Sequence, residues 1–368
     1  MIMYAFNILT EHWLRYILTS LGISFCALLM LFLVSIYKGV SYGSVEYVIA
    51  SDADLWVLQE HATNILRSTS LMPATYQNDL KKIEGIESVS SVLFILASVN
   101  LNNSNATLYL TGFDPETGKG GAPEIIKGRN IKYDNEIVLD KAFAAKNKIS
   151  IGDKIPIRKD TLMVTGISTG TNMFVIQYAF ITLAEAHKII GFSNVVSCYL
   201  VNTIPGAGLE NIKSDIYSGI KNIVVFDKEA FLDNNIREME SGIMPLLYII
   251  TMISAIVLTA ILSLILSINV LEKRKDFAIM KAVGSPRGFI AATIVSQSVI
   301  LSLTGLAFAL ILFFPMTAVI EKISPEVSSK TSLLQVIVVA FGVMIISLVS
   351  SVLPIQRIRK IYPLEVFM

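Results

Sequence analysis

The sequence predicts an α-helical membrane protein with four transmembrane helices and a large extracytoplasmic α+β domain inserted between helices 1 and 2. Composition is the first observation behind this prediction: 53% of the 368 residues are hydrophobic, 16% are charged, and the mean hydropathy is +0.63. The second is a set of four apolar runs, each long enough to supply the roughly 20 helical residues that cross a bilayer core of about 30 Å. The third is a long stretch after the first run, residues 37–243, that contains no such segment.

The first apolar run, residues 17–36, follows residues 1–16, which we expect to form an amphipathic cytoplasmic helix. The run is about twice as long as the apolar region of a signal peptide, and no small-x-small cleavage site follows it. We therefore interpret it as a retained first span. The remaining predicted segments are a second span at 244–271, a cytoplasmic helix at 272–288, a third span at 289–320, a short external loop at 321–332, a fourth span at 333–353 and a basic cytoplasmic tail at 354–368.

The distribution of charge predicts the orientation in the membrane, because basic residues near helix ends favour the cytoplasmic side. The chain is therefore expected to be a multi-pass protein of the plasma (inner) membrane with both termini in the cytoplasm. A net charge of +1 argues against a nucleic-acid partner. No predicted span contains Asp, Glu, Lys, Arg or His, which argues against an ion-coupled transporter. The basic clusters are Arg15 before the first span, Lys273, Arg274, Lys275, Lys281 and Arg287 between the second and third, and Arg357, Arg359 and Lys360 after the fourth.

In the predicted outer domain, residues 37–243, strand and helix patterns alternate, and strands dominate the middle. Its one cysteine is Cys198, so no disulfide can form within it. Alternating spacings of three and four beside the first and second spans predict two stalk helices that pair through a seam. Two amphipathic helices packed on the domain core would give the same pattern, and both interpretations remain open. The seam positions are Ile36, Val40, Gly43 and Tyr47, and Leu232, Ile236, Met239 and Ile243.

The stretch EKRKDFAIMKAVGSPRG, residues 272–288, is a dense charged segment between two spans. Strong helix formers predict a helix that ends at Gly284, and Ser285 and Pro286 are typical of the start of a new one. Phe277 and Met280 are expected to form an apolar ridge suited to docking into a groove on another protein. A loop that rests on lipid headgroups is the alternative. The charged rim of the ridge consists of Glu272, Arg274, Asp276 and Lys281.

The sequence predicts no catalytic and no metal-binding residues. It has no G-x-x-x-x-G-K-[ST] motif, so this chain is not expected to bind nucleotide in a phosphate loop. It has no H-E-x-x-H motif, and its three histidines, His12, His61 and His187, lie in different regions.

Aromatic and methionine side chains near the outer ends of the spans are candidates for contact with an apolar or haem-like substrate. Anchoring at the membrane interface is the alternative, because aromatic belts form at that depth in any case. The candidate substrate-binding residues are Tyr37, Tyr42, Tyr47, Met244 and Tyr248.

The loop EKRKDFAIMKAVGSPR resembles that of the FtsX/MacB-type (type VII) ABC transporter permeases, in which an acidic-basic run leads into an apolar-Lys/Arg-Ala-x-Gly turn before the third span. The N-terminal segment AFNILTEHWLRYILTSLGIS and the closing segment LPIQRIRKIYPLEVF are similar to the ends of that family. The resemblance covers essentially the whole chain.

The resemblance implies a non-catalytic permease subunit that forms a homodimer and binds a separate ABC ATPase through the loop helix. ATP and Mg would be hydrolysed by that partner, and this chain would bind no cofactor. The outer domain would combine a small α+β lobe, about 47–112 plus 195–226, with an inserted strand-rich lobe, and would move with ATP hydrolysis, a coupling called mechanotransmission. The implied ATPase-coupling residues are Glu272, Lys273, Arg274, Asp276, Phe277, Met280, Lys281, Gly284 and Arg287.

The function that this reasoning predicts is export or extraction of a hydrophobic or amphipathic substrate, such as haem, lipid, lipoprotein or antibiotic. One alternative is a transmembrane mechanotransducer that regulates an extracytoplasmic partner, such as a cell-wall hydrolase, without transport. A second is a membrane-anchored receptor or adhesion protein with no ATPase. The expected partners are the ATPase, a second permease copy and membrane lipid, and an extracytoplasmic adaptor is left open.

Overall fold

The computed structural model describes residues 2–11, 13–66, 68–101, 104–173, 176–325 and 332–359. The helices are α1 (Ile2–Glu11), α2 (Trp13–Gly43), α3 (Glu46–Ala50), α4 (Tyr76–Leu80), α5 (Lys141–Asn147), α6 (Leu183–Ile190), α7 (Leu209–Gly219), α8 (Lys228–Glu272), α9 (Arg274–Ala282), α10 (Arg287–Ile323), α11 (Leu333–Ser350) and α12 (Val352–Arg359). The strands are β1 (Leu55–Gln59), β2 (Met72–Pro73), β3 (Ile86–Leu101), β4 (Ser104–Phe113), β5 (Glu124–Gly128), β6 (Glu136–Asp140), β7 (Lys154–Ile157), β8 (Asp160–Thr169), β9 (Asn172–Met173), β10 (Ile176–Thr182), β11 (Val195–Val196), β12 (Cys198–Thr203) and β13 (Ile223–Asp227).

The chain divides into two compact units. The helical unit consists of residues 1–38, 244–319 and 329–368, and the outer unit consists of residues 39–243 and 320–328. The described residues contain four helices long and apolar enough to cross a membrane, and most of the outer unit lies in the sequence between the first of them and the second. This arrangement confirms the predicted fold class.

The first three transmembrane helices extend beyond the predicted spans, whereas α11 begins with the fourth span at Leu333 and ends within it at Ser350. Helix α2 begins at Trp13 and continues to Gly43, whereas the predicted span was 17–36. Helix α8 begins at Lys228, well before the predicted start at residue 244. The apolar length of a segment predicts only the part of a helix inside the bilayer, because backbone hydrogen bonding continues until a residue caps or breaks the helix. The predicted N-terminal helix, 1–16, ends at Glu11, and His12 lies outside the described residues.

Small and hydroxyl side chains allow the helices of the helical unit to pack closely. Gly305 on α10 lies against Ile23 on α2, where an added β-carbon would be 2.5 Å from Ile23 Cγ2. Nearby, Ser20 Oγ and Thr304 Oγ1 are 3.1 Å apart and form a hydrogen bond between the same two helices. Such contacts are typical of helices in lipid, where association depends on close packing and interhelical hydrogen bonds.

The outer unit is built on an 11-stranded sheet in which the long strand β3 links two lobes. The first half of β3 pairs antiparallel with β12, and the second half pairs antiparallel with β4. Strands β13, β1 and β12 thus continue the sheet on one side, and β4, β10, β6, β8 and β5 continue it on the other. The domain has the predicted α+β character, with strands dominating its middle.

Tyr47 lies in the core of the outer unit, which corrects two expectations about this residue. Its side chain is buried, its ring stacks on Tyr178 with centroids 4.9 Å apart, and its hydroxyl donates to Gly120 O at 2.8 Å. Because α2 ends at Gly43, Tyr47 does not continue the predicted seam. The residue is also not accessible to a substrate, because its ring is buried in the core of the outer unit. Burial of a large aromatic ring in a core is favourable. Leu232 on α8 packs against the same aromatic cluster. This contact agrees with the alternative interpretation, in which the two amphipathic helices pack on the core of the outer domain.

We expect Gly305→Val to destabilise the helical unit, because its side chain would collide with Ile23. Overpacking of this kind costs about 1–3 kcal/mol, so the thermal unfolding midpoint in detergent should fall by several degrees. Gly342→Val on α11 is the matched control, because a β-carbon there meets no atom within 4 Å. Equal midpoints for the two variants would contradict this account of the helix contact.

Candidate functional site

The candidate site is the predicted cytoplasmic segment 272–288, which the structure folds as a short helix between two spans. Helix α8 ends at Glu272 and α9 begins at Arg274. The intervening residue, Lys273, still donates its amide to Asn269 O at 3.1 Å and accepts from the Phe277 amide at 3.0 Å. Hydrogen bonding therefore passes from α8 into α9 with only a local turn between them.

The C-terminal end of α9 is closed by a Schellman motif at Gly284. The Ser285 amide donates to Met280 O at 2.9 Å, and the Gly284 amide donates to Lys281 O at 3.1 Å. Gly284 has a φ of 92°, a conformation that a residue with a side chain adopts at a cost. A positive φ is the conformation that glycine adopts at the C-terminal end of a helix, and the sequence predicted that the helix ends at Gly284. Pro286 then precedes α10, as the sequence pattern predicts.

The expectation that Phe277 forms part of an exposed apolar ridge is wrong. Its side chain is 2% exposed and belongs to the apolar core of the helical unit together with Leu9, Val270 and Ile358. Met280 is partly buried against the same core. The reason is that α9 packs against its own helical unit, so the large apolar side chains of the predicted ridge are used within the chain.

The surface that α9 does expose is a different stripe, formed by Lys275, Ile279, Ala282 and Val283. These residues follow one another at spacings of four, three and one, which places them on one side of the helix. Ile279 is 48% exposed and Val283 is 84% exposed. Sequence reasoning missed this stripe because α9 carries apolar residues on both sides, so spacing alone could not tell which side is covered.

Two ion pairs hold the start of α9 to the N-terminal segment of the chain. Lys273 Nζ lies 2.5 Å from Glu11 Oε2, and Arg15 Nη1 lies 2.5 Å from Glu272 Oε2. The hydrogen bond to the Glu11 carboxylate raises the pKa of Lys273, which favours the charged ammonium. Exposed ion pairs contribute little stability individually, but these two fix the geometry of a junction that also packs through Phe277.

A third contact attaches the end of α9 to α12. Lys281 Nζ donates to Ile358 O at 2.7 Å, within the last turn of that helix, where carbonyl groups lack intrahelical partners. Lys281 therefore bonds within the chain. Residues 360–368 of the predicted basic tail, including Lys360, lie outside the described residues.

The remaining predicted coupling residues lie on or beside α9. Glu272, Arg274 and Asp276 are exposed. Arg287 begins α10, and its side chain lies outside what the structure describes. Whether any of these residues contacts a partner stays a prediction.

The predicted substrate-binding residues fall in both units. Tyr37, Met244 and Tyr248 belong to the helical unit, and Tyr42 and Tyr47 belong to the outer unit. Tyr248 and Tyr42 are exposed, and Tyr37 and Met244 are half-buried. Apart from Tyr47, which is a core residue, their contact with substrate stays a prediction.

Two protein-family models match the chain. The model described as "FtsX-like permease C-terminal" matches residues 248–363, and the model described as "MacB-like periplasmic core domain" matches residues 16–217. Together they include the first span, most of the outer unit, the candidate site and the last two spans.

Among curated proteins, the chain is 23% identical over 354 residues to a putative hemin transport system permease protein, HrtB, of Staphylococcus haemolyticus, with 95% of each chain covered. It is 23% identical over 213 residues to an uncharacterized ABC transporter permease of Mycobacterium bovis, with 56% of each covered. A crystal structure of the periplasmic region of MacB from Actinobacillus actinomycetemcomitans aligns with a TM-score of 0.40 and 13% identity, covering 50% of this chain and 94% of that one. The family assignment rests on the sequence models, not on this superposition.

We expect Gly284→Val to loosen the end of α9, because a β-branched side chain disfavours the left-handed backbone of the Schellman motif. If the substitution destabilises the motif by about 1–2 kcal/mol, the amides of residues 284 and 285 should exchange with solvent roughly five- to thirtyfold faster than in the unsubstituted protein. Gly288→Val is the matched control, since Gly288 lies in α10 with no atom within 4 Å of an added β-carbon. Unchanged exchange in Gly284→Val would mean that the motif does not depend on glycine.

Proposed function

The chain belongs to the FtsX-like, MacB-type family of ABC transporter permeases, and from this membership we propose that it couples ATP hydrolysis by a separate ATPase subunit to movement of its outer domain. In this proposal the chain is itself non-catalytic, and ATP and Mg are bound by the partner. The permease works as a homodimer with both termini in the cytoplasm, next to the ATPase.

The observation that carries this proposal is the exposed stripe of α9 (Lys275, Ile279, Ala282, Val283) on a helix that is fixed to its own helical unit. Apolar side chains with a cation beside them suit insertion into a groove of a partner protein. The helix is held at its start by the Lys273–Glu11 ion pair, at its middle by buried Phe277, and at its end by Lys281. A surface attached in this way moves together with the transmembrane helices when a partner pulls or pushes on it.

Helix α8 supplies the connection to the outer unit. It runs without interruption for 45 residues from Lys228, directly after the last strand of the outer unit, to Glu272, next to α9. At roughly 1.5 Å per residue this is about 68 Å of continuous helix. Apart from Pro245, which has no amide hydrogen to donate, residues inside the helix can be hydrogen-bonded to the preceding turn. We propose that a displacement at its cytoplasmic end is passed along this helix toward the outer unit.

We propose that the cargo is a hydrophobic or amphipathic molecule that the complex exports or extracts from the outer side of the membrane. The predicted spans contain no Asp, Glu, Lys, Arg or His, which suits apolar cargo. The relatives covered over most of their length are named for hemin transport, so haem is one candidate. The same relatives favour transport over the alternative of a transducer that controls a cell-wall hydrolase, and over a receptor without an ATPase.

Ile279→Asp and Val283→Asp should each reduce copurification of the ATPase from membranes by at least tenfold, because a carboxylate placed in an apolar contact has to be desolvated. Ile204→Asp in the outer unit is the matched control, since Ile204 is also an exposed apolar residue, 51% accessible. If the α9 variants retain the ATPase as fully as Ile204→Asp does, α9 is not the docking surface and rests on lipid instead.

Phe277→Asp should behave differently from the two exposed-stripe variants. Because Phe277 is buried within the helical unit, an aspartate there should lower the thermal stability of the isolated permease as well as complex formation. Val283→Asp should leave the stability of the isolated permease unchanged. A Phe277→Asp protein with normal stability would contradict the burial of this side chain.

The proposed orientation can be tested with single cysteines introduced into a Cys26→Ser, Cys198→Ser background. A cysteine at Glu116, an exposed residue of the outer unit, should react with a membrane-impermeant maleimide in whole cells. A cysteine at Lys275 should react only after the membrane is opened. The reverse pattern at either position would overturn the proposed topology.

A further inference from the structure

The outer unit contains an open cavity of about 620 Å³, a volume within the range typical of small-molecule sites. Its walls include residues of β1, β3, β4, β12 and the start of α8, and of the segments 64–66, 68–71 and 190–195. None of the residues that sequence analysis proposed for substrate contact lines it. The main aromatic and sulfur-containing lining residues are Trp56, Phe94, Tyr109, Cys198 and Phe231.

The inner wall of this cavity is apolar and holds one unused hydrogen-bond donor. Trp56 is fully buried and stacks on Phe231 with ring centroids 4.6 Å apart. Its indole Nε1 has no hydrogen-bond partner among the described residues. Because Trp56 has no accessible surface, its ring lies behind the exposed wall and its N–H is out of reach of a molecule in the cavity. Burial also raises the pKa of the Cys198 thiol, so this part of the wall is uncharged.

The mouth of the cavity combines exposed apolar side chains with a cation. Leu96 and Phe192 line the cavity and are 58% and 68% exposed. Arg158 lines it as well, and its Nη1 donates to Ile189 O at 2.9 Å, which holds the guanidinium at this position. No carboxylate is found among the described lining residues. The mouth therefore favours a negative charge at one end of an otherwise apolar molecule.

Two of the lining segments, 64–66 and 68–71, are each held by hydrogen bonds. Tyr109 donates its hydroxyl to Ile65 O at 2.6 Å, and the Ile65 amide donates to Asn235 Oδ1 on α8 at 3.0 Å. In the second segment, Ser70 Oγ donates to Ser197 O at 2.5 Å. A cavity whose lining segments are already held in place loses little conformational entropy when a ligand enters.

We propose that this cavity binds an amphipathic anion, a small molecule with an apolar body and one acidic group. The apolar body lies against Phe94, in front of the buried Trp56 ring, and the acidic group pairs with Arg158 at the mouth. This ligand class would be the cargo of the transporter, and that role rests on the proposed function, whereas binding itself does not. Because Phe231 and Asn235 belong to α8, the site lies on the same helix that crosses the membrane.

The test uses the full-length chain in lipid nanodiscs without any ATPase. The chain has two tryptophans, so Trp13→Phe leaves Trp56 as the only indole and its fluorescence reports occupancy of the cavity by energy transfer. Two probes with a shared aromatic body are compared, the anion anilinonaphthalene sulfonate and neutral phenylnaphthylamine. Both should quench Trp56 saturably.

Charge variants at the mouth then test the proposed orientation of the ligand. Arg158→Ala should raise the Kd of the sulfonate about fivefold and leave that of the neutral probe unchanged. Leu96→Glu, at an exposed position, should weaken the sulfonate in the same selective way. Lys159→Ala is the matched control, since it removes the neighbouring charge, which is not among the lining residues, and it should change neither Kd.

Quenching that does not saturate would overturn the proposal, because it would mean that the probes only partition into lipid. If Arg158→Ala weakened the binding of both probes equally, Arg158 would not be the partner of the anion. The same conclusion would follow if Lys159→Ala raised the Kd of the sulfonate as much as Arg158→Ala does. Since the assay contains no ATPase, a failure here leaves the docking proposal intact. A failure of ATPase copurification likewise leaves the binding result intact.

Discussion

The interior of a bilayer offers no hydrogen-bond partner to backbone amides and carbonyls, so a single segment crosses it as a helix that satisfies its own bonds. In this protein α8 extends well beyond its predicted span of residues 244–271. Helix α8 continues from Lys228 in the outer unit to Glu272 beside α9. Near the start of α8, Phe231 lines the cavity of the outer unit, and Asn235 accepts a hydrogen bond from Ile65 in the cavity wall. The other end of α8 continues into α9 through a local turn. Helix α8 therefore contributes residues to both units, each of which holds one of the surfaces on which the proposed function depends.

A docking helix can transmit movement only if it is firmly attached to what has to move. The burial of Phe277, the ion pair of Lys273 with Glu11, and the bond from Lys281 to Ile358 O attach α9 to its helical unit at three points. The Schellman motif at Gly284 then turns the chain directly into α10. Phe277 and Lys281, which the sequence suggested as contacts for a partner, thus attach α9 to its own unit. The exposed stripe beside them remains available to bind a partner.

The sequence was informative wherever one local signal dominated. Apolar length predicted the four spans, and the Gly284, Ser285, Pro286 pattern predicted the turn after α9. It was uninformative where tertiary packing chose between two equivalent faces, as in α9, where apolar residues on both sides left the burial of Phe277 unpredictable. Tyr47 was misplaced because helical spacing continues past Gly43 although the helix does not. The cavity was missed because its walls come from segments far apart in sequence.

The central claim is that the exposed stripe of α9, and not its buried face, meets the ATPase. The most direct measurement places a photoreactive amino acid at position 283 in intact membranes of cells that also make the neighbouring ATPase, and identifies what it crosslinks to on illumination. Our account predicts a covalent adduct with the ATPase from position 283 and none from position 204 in the outer unit. Adducts to lipid alone from position 283, in membranes where the two subunits still copurify, would contradict it.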